Sequence, residues 1–224
     1  MIDRKRTSSP RPMRADAARN RRRILEAADE LLAQYGEHVT LDDVAKAAGV
    51  GVGTAYRHFG NKHALITEIL EQYLGWIGEI AESAAQRRDP WCGLVQMLEQ
   101  TCELVAGNRA FMAAMTGSRE GAAVFERHEA MISRPLGEII ERARVDKLVR
   151  PEIAIGDIFG VISMVHGVAV FTQPVDPDHW RRYLNLLLNG IRSDRGRGLP
   201  LQPPALSVEQ IRQARKIAAA SRRR

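Results

Sequence analysis

Apolar residues recur every three or four positions along most of the chain, and no stretch alternates apolar and polar residues long enough to make a strand. That spacing predicts an all-α fold from about residue 15 to 192. Ile24, Ala28, Leu31 and Tyr35 form a first stripe, with Leu25 and Leu32 beside it and Gly36 placed to end the helix. Leu41, Val44, Ala45 and Ala48 form a second, opened by Thr40 as N-cap with Asp42 and Asp43 in its first turn. Val52, Ala55 and Phe59 make a third, short stripe. A longer helix is expected from Asn61 to around Arg88, stopping before Asp89-Pro90. Further helices are expected over about 90–106, 108–117, 120–144, 152–171 and 178–192, punctuated by Gly107-Asn108, Gly117-Ser118, Arg150-Pro151 and "TQPVDPD". Pro135 lies inside one of these spans and is expected to kink or split it. "RSDRGRGLPLQPPAL" reads as a linker, after which Ser207 to Gln210 fits a capping box for a last basic helix.

Between the second and third stripes lies "GVGVGTAYRHFGNKHAL", Gly49 to Leu65, whose alternating glycines near a lysine raise the question of a phosphate-binding loop. A dinucleotide loop needs a strand before it, and here "TLDDVAKAAGV" reads as an amphipathic helix. A G-x-G-x-x-G beginning at Gly51 would also need glycine at Tyr56, and no Gly-Lys-Ser/Thr occurs. A helix of about eight residues, a turn at Gly49 and a second short helix is instead the spacing of a helix-turn-helix. Gly49 suits the left-handed conformation that ends the first helix, and Val50 suits the angle between the two. On a helical wheel Val52, Ala55 and Phe59 face inward with Tyr56 at the rim, and Gly53, Thr54, Arg57 and His58 face outward together.

Lys62 falls in the first turn of the next helix, where the macrodipole disfavours a cation by roughly 0.3–1 kcal/mol. A bound anion would reverse that penalty, since free backbone N–H groups and the ammonium then act together. Thr40 opens the helix on the other side of the motif. Two helix N-termini flanking a recognition helix suit the phosphates on either side of a major groove.

The segment "RRRILEAADELLAQYGEHVTLDDVAKAAGVGVGTAYRHFGNKHALI" resembles the DNA-binding domain of the tetracycline-repressor (TetR) family of bacterial transcriptional regulators, over about residues 19 to 66. The resemblance rests on a first helix ending in Tyr-Gly, a T-L-x-D-V-A second helix, then A-G-V-G-x-G-T-x-Y-x-H-F and Asn-Lys. It implies that Thr54, Tyr56 and His58 belong to the contact surface of the recognition helix and that Lys62 reaches a phosphate. Arg57 stands where the family varies, which makes it the candidate base contact, to guanine O6/N7. Ala55 replaces a leucine often found there, and Gly60 another loop residue. The expected DNA-contacting set is Thr40, Val52, Gly53, Thr54, Tyr56, Arg57, His58 and Lys62.

Charge adds to this picture. The chain has 224 residues and a formal net charge of +6, concentrated at its ends. Residues 1–23 hold nine Arg/Lys against two acids, as do residues 192–224, whereas 61–191 hold 13 against 17. Basic ends on an acidic body suit a polyanion partner. Arg4, Lys5, Arg6, Arg11 and Arg14, interrupted by prolines, read as an arm that enters the minor groove or adds phosphate affinity. The C-terminal tail reads equally as a second such contact or as a solubilising extension. No run is seen to approach the roughly 20 apolar residues of a membrane span, and no apolar stretch follows the basic N-terminus. A cytoplasmic protein without a membrane partner is expected. Cys92 and Cys102 lie ten residues apart in one expected helix, too far to pair, and are expected to be buried packing residues.

Beyond residue 66 the family resemblance carries no motif. It implies a helical domain that binds a small-molecule effector, moves the helix after the DNA-binding unit, and pairs with a second copy through its last two helices. "PEIAIGDIFGVISMVHGVAVF" is apolar nearly all round, with Gly156, Gly160, Gly167 and Ala169 for close approach, and Trp180, Leu184, Leu187, Leu188 and Ile191 form a stripe. Trp91, Met97, Phe111, Met112, Met115, Phe125 and Met164 are candidate linings of an apolar pocket, and His166 a candidate ligand or partner contact. No His/Cys/carboxylate cluster has metal-binding spacing, and no cofactor is implied. The motifs of a hydrolase, a zinc protease or a di-iron site are missing from the sequence, so an enzyme is not expected. The expected organisation is a basic arm (1–15), a helix-turn-helix domain (16–66), a ligand-binding and dimerisation domain (67–192) and a linker with basic tail (193–224). The function expected is a homodimeric, ligand-responsive repressor of a palindromic operator. Its rivals are an architectural DNA-binding protein using the basic ends alone and a repressor that senses nothing.

Overall fold

Side-chain caps and apolar stripes divide the chain into helices joined by short turns. The computed structural model describes residues 11–35, 38–106, 108–193, 207–210 and 212. Among these run α1 (Arg11–Tyr35), α2 (Leu41–Ala47), α3 (Val52–Phe59), α4 (Lys62–Ala85), α5 (Pro90–Ala106), α6 (Arg109–Gly117), α7 (Arg119–Val145), α8 (Ile155–Thr172) and α9 (Trp180–Ile191). The β-type pairing among the described residues is one isolated bridge, Val149 with Arg192, which ties the α7–α8 turn to the end of α9. The fold is all-α. The chain forms two compact units, residues 1–66 and 67–224.

In the first unit α1, α2 and α3 bury Ile24, Ala28, Leu32, Val44, Ala45, Ala55 and Phe59 against one another. α1 begins at Arg11, inside the segment read as an arm, and Pro12 is tolerated in its first turn because its missing N–H would be unbonded there. Residues 1–10 and the expected stop at Gly36 lie outside the described residues. Tyr35, counted in the first stripe, is 56% exposed, because the stripe has run past its neighbours at the last residue of the helix.

In the second unit α5 contacts α6, α7, α8 and α9, and Leu94, Met97, Leu98, Cys102 and Val105 are its buried face. α7 is continuous for 27 residues through Pro135, so of the expected kink or split the split does not occur. Proline removes the bond to the Met131 carbonyl, yet the helix continues, with Ile132, Ser133, Leu136 and Ile139 buried on either side of it. Arg142 of α7 reaches the end of α4, donating to the carbonyl oxygens of Ala85 (2.7 Å), Arg87 (2.6 Å) and Arg88 (2.9 Å). α8 starts three residues later than expected, where the Asp157 carboxylate accepts from the Ala154 N–H at 2.8 Å. With 18 residues and a mean hydropathy of 1.7, α8 is long and apolar enough to cross a membrane by composition, contrary to the reading that no run comes close. The capping box at Ser207 forms, with Ser207 N–H donating to Gln210 (2.8 Å) and Gln210 N–H to the Ser207 hydroxyl (3.2 Å). Arg212 then pairs with Glu129 of α7; the rest of the tail and the linker lie outside the described residues.

Both cysteines lie in α5, but one of them is exposed, contrary to expectation. Cys92 sits in the first turn, where Asp89 acts as cap by accepting from the N–H groups of Trp91 (2.8 Å) and Cys92 (3.2 Å). The Cys92 thiol also donates to Asp89 at 3.4 Å, and that hydrogen bond holds its pKa above the ordinary value. Burial pushes the Cys102 thiol up to about 12. Iodoacetamide at pH 8 is therefore expected to modify Cys92 alone in the native protein, and Cys102 only after unfolding. Asp89→Asn removes the charge facing the thiolate and should speed Cys92 labelling severalfold; unchanged labelling, read by mass spectrometry, would contradict the assigned cause.

Candidate nucleic-acid interface

The turn between α2 and α3 is built by backbone chemistry that the sequence specifies closely. Thr40 caps α2: its hydroxyl accepts from the Asp43 N–H at 3.1 Å, and the Asp43 carboxylate accepts from the Thr40 N–H at 3.0 Å. At the other end Val50 N–H donates to the Ala45 carbonyl (3.0 Å) and Gly49 N–H to that of Lys46 (3.1 Å), the two bonds of a Schellman motif. Gly49 sits there at φ 61°, a conformation that costs a residue with a Cβ roughly 1–2 kcal/mol. A Cβ at Gly49 would also lie 2.7 Å from the Arg23 guanidinium, whose Nη2 donates to the Gly49 carbonyl at 3.4 Å. Arg23 thus joins α1 to the turn.

α3 leaves this turn with Gly51 as N-cap, so no side chain closes its N-terminus. Ala55 and Phe59 are buried, and the Arg21 guanidinium lies 5.2 Å from the Phe59 ring centre. The opposite face carries Gly53, Tyr56 and Arg57, all exposed, with Thr54 and His58 half-buried beside them. Tyr56, placed at the rim by the wheel, is 46% exposed and so joins the outer face. Val52, assigned to the inner face by the wheel, is 43% exposed. The wheel fixes its azimuth, but at the first residue of a two-turn helix it lacks the layer of neighbours that covers Ala55 and Phe59. The charge of the neighbouring Asp42 carboxylate, and then its hydrogen bond, raise the Tyr56 pKa and keep the phenol neutral.

Lys62 is the first residue of α4, half-buried, next to Asn61, whose side chain accepts from the Ala64 N–H at 2.9 Å. The outer face of α3, Thr40 and Lys62 all belong to the first unit. Arg21, Arg22 and Arg23 add exposed cations on α1. In the sequence they register only as charge, and the run "RNRRR" before Ile24 is their signal.

The pocket candidates separate in the second unit. Met97, Phe111, Met112, Met115 and Phe125 line one cavity of about 50 Å³ together with Thr101 and Val105. Trp91 and Met164 do not. Trp91 lies beneath the Arg192 guanidinium, 5.1 Å from ring centre to carbon, and Met164 is 53% exposed on α8. His166 is not among the lining residues; its Nδ1 lies 3.1 Å from the carbonyl of Val105, which is.

Comparison with known proteins agrees with this geometry. A model described as "Bacterial regulatory proteins, tetR family" matches residues 24–69, and one for the "Transcriptional regulator SbtR-like, C-terminal domain" matches residues 89–193. An HTH-type transcriptional regulator of Staphylococcus aureus is 41% identical over 63 residues, which are 28% of this chain and 34% of that protein. The chain thus spans about a third of the length of the curated relatives it matches. A TetR transcription regulatory protein of Mycobacterium vanbaalenii superposes with a TM-score of 0.57 at 28% identity, covering 81% of this chain and 99% of that one. The regulator FadR of Bacillus subtilis, solved in complex with stearoyl-CoA, superposes with a TM-score of 0.60 at 21% identity, covering 76% and 98%, and shares the fold.

Two substitutions test the local construction. Gly49→Ala should destabilise the protein by about 1–2 kcal/mol in chemical denaturation. In Thr40→Ala the Asp43 pKa, now held below the ordinary 3.8 first by the Thr40 hydroxyl and then by its N–H, should rise toward that value in an NMR titration. Because the folded value is the lower one, this contribution to stability is complete above pH 3.8 and lost as the pH falls through the depressed value. With a capped α2, a Schellman turn and an outward-facing α3 inside the residues matched by the tetR model, and residues 89–193 matched by a model for a regulator's C-terminal domain, the chain belongs to the tetR family of bacterial transcriptional regulators.

Proposed function

We propose that the chain is a ligand-responsive repressor that binds a palindromic operator as a homodimer in the cytoplasm and lets go when a small apolar effector enters the second unit. The observation that carries the DNA-binding half is the outer face of α3, with Gly53, Thr54, Tyr56, Arg57 and His58 in one patch and Thr40 and Lys62 at the flanking helix starts. Arg57 is assigned to a base edge, and Lys62 and Thr40 to phosphates. Residues 16–66 are assigned to DNA binding and 67–192 to sensing and dimerisation.

Dimerisation is supported by α8 and α9. α8 is apolar nearly all round but buries only the face of Ile158, Val161, Val165 and Ala169. Met164, Phe171, Val175, Tyr183 and Leu186 stay exposed on or beside these helices, and Gly160 and Gly167 leave room for a close partner. An 18-residue helix of this hydropathy, uncovered in water, calls for a second protein surface.

Effector control is supported by the junction of α4 and α6. Asn108 caps α6 through the Phe111 N–H (2.8 Å) and donates to the Tyr73 hydroxyl (2.9 Å), while Phe111 stacks on Tyr73 with centres 4.7 Å apart. Phe111 lines the cavity and Tyr73 belongs to α4, the helix that begins at Lys62. A ligand that moves Phe111 therefore moves α4. A relative in fold was solved with stearoyl-CoA, which supports a ligand role for this architecture.

Selection of random duplex DNA by the purified protein, with affinity followed over a salt series, tests the proposal. An inverted repeat with half-sites about one helical turn apart is the expected result; salt-sensitive binding without a motif would favour the architectural rival. Lys62→Ala should then weaken binding to all sequences and lower the salt slope by about one unit. Arg57→Ala should instead relax preference at one position of each half-site by about 1–3 kcal/mol. Indistinguishable behaviour of the two variants would refute the division of roles.

A further inference from the structure

Thr101 of α5 is 1% exposed and lines the cavity, and its hydroxyl oxygen has no hydrogen-bond partner. A hydroxyl inside a helix ordinarily bonds back to the carbonyl four residues earlier. Ser163 does so with Phe159 at 2.9 Å and Thr172 with Val168 at 3.0 Å. Thr101 makes no such bond. The other buried unpartnered side-chain atoms among the described residues are Ser133 Oγ, Arg144 Nε and Arg212 Nε, and none of these lines the cavity. The two arginines engage partners through their other nitrogens, Arg144 at the Ile153 carbonyl and Arg212 at Glu129.

The surroundings narrow what could satisfy Thr101. Its single polar companion in the lining is Ser163, whose proton is committed to Phe159. A bridging water needs two to four polar partners and would find at most the minimum, the Thr101 hydroxyl and the Ser163 oxygen. No charged side chain lines the cavity, so an ionised ligand group would enter without a counter-charge. At about 50 Å³ the space is also well below an ordinary ligand site of about 300–1,000 Å³. Met97, Met112 and Met115 are unbranched and can re-pack around an entering chain.

We propose that Thr101 is the polar anchor of the effector site, and that the effector is a neutral, slender, mainly aliphatic molecule carrying one oxygen that accepts a hydrogen bond from the Thr101 hydroxyl. A monoketone is the simplest member of that class. The assignment rests on the reading of the second unit as effector-binding, and it names the group that sets specificity there.

The test uses the full chain without DNA and a matched series of octan-2-one, octanoate and octylammonium, measured by titration calorimetry. Octan-2-one is expected to bind at least tenfold more tightly than either ion. Thr101→Val should weaken octan-2-one roughly tenfold, the worth of one hydrogen bond to a buried group, while Thr101→Ser retains it. The ligand-free Thr101→Val protein should melt at the same temperature or higher, because an unpaired buried hydroxyl has been removed. A purely structural hydroxyl would give the reverse, a lower melting temperature with affinity unchanged, and would overturn the proposal. Equal or tighter binding of an ion, or no binding of octan-2-one at millimolar concentration, would overturn it too. A second titration, of the selected operator with and without octan-2-one, separates the two readings: binding through Thr101 that leaves operator affinity unaltered would sustain the site but refute effector control.

Discussion

A chain folded almost entirely into helices must satisfy the backbone groups left open at each helix end, four N–H groups at one end and four carbonyls at the other. Here side chains meet much of that demand. Asn61, Asp89, Asn108 and Ser118 each accept a hydrogen bond from the first turn of the helix they open. Thr40 and Asp43 do it reciprocally at α2, and Arg142 gathers three carbonyls at and just beyond the end of α4. These caps decide where each helix starts, and the start of a helix fixes which residues point in and which point out. The presentation of α3 therefore depends on the Schellman turn at Gly49 and on the cap at Thr40.

The parts of this fold legible in the sequence are those governed by short-range chemistry. The Thr40 cap with two acids behind it, the left-handed glycine at position 49 and the three-to-four spacing of Leu41, Val44, Ala45 and Ala48 are statements about neighbours a few residues apart. What was misread required knowledge of depth or of distant partners. Pro135 carries a strong local signal for a break, but tertiary packing around Ile132, Leu136 and Ile139 outweighs it. Val52 has an inward azimuth and no covering layer. Cys92 has the composition of a core residue and lies instead in an exposed first turn beside Asp89.

The cavity shows the same boundary between local and long-range information. Large adaptable apolar side chains can be found in a sequence, but not the set of them that converges. Met97, Phe111, Met112, Met115 and Phe125 meet because α5, α6 and α7 pack together, whereas Trp91 is held at the end of α5 by Arg192 and Met164 faces away from the core of its unit. Thr101 carried no signal at all. A threonine on the buried face of a helix is ordinarily tied to its own backbone, and that it is not can be seen only once every possible partner has been placed.

Natural sequences tend to break the rules of stability where function requires it. Three departures stand out among the described residues, and they have a common physical form: a surface or atom whose partner is not supplied by its own unit. The outer face of α3 presents arginine, histidine and tyrosine on a helix without a side-chain cap at its N-terminus. α8 leaves Met164 and Phe171 in water although burying them would stabilise the fold. Thr101 keeps a buried hydroxyl unpaired where valine would fit the same shape. Each departure costs stability in the isolated chain, and on the function proposed above each would be recovered by a different kind of partner: an anionic groove, an apolar protein surface, and a small neutral molecule. A regulator of the proposed kind, binding all three with the last opposing the first, needs its unmet interactions kept apart in this way. Otherwise satisfying one would satisfy another, and the response would be lost.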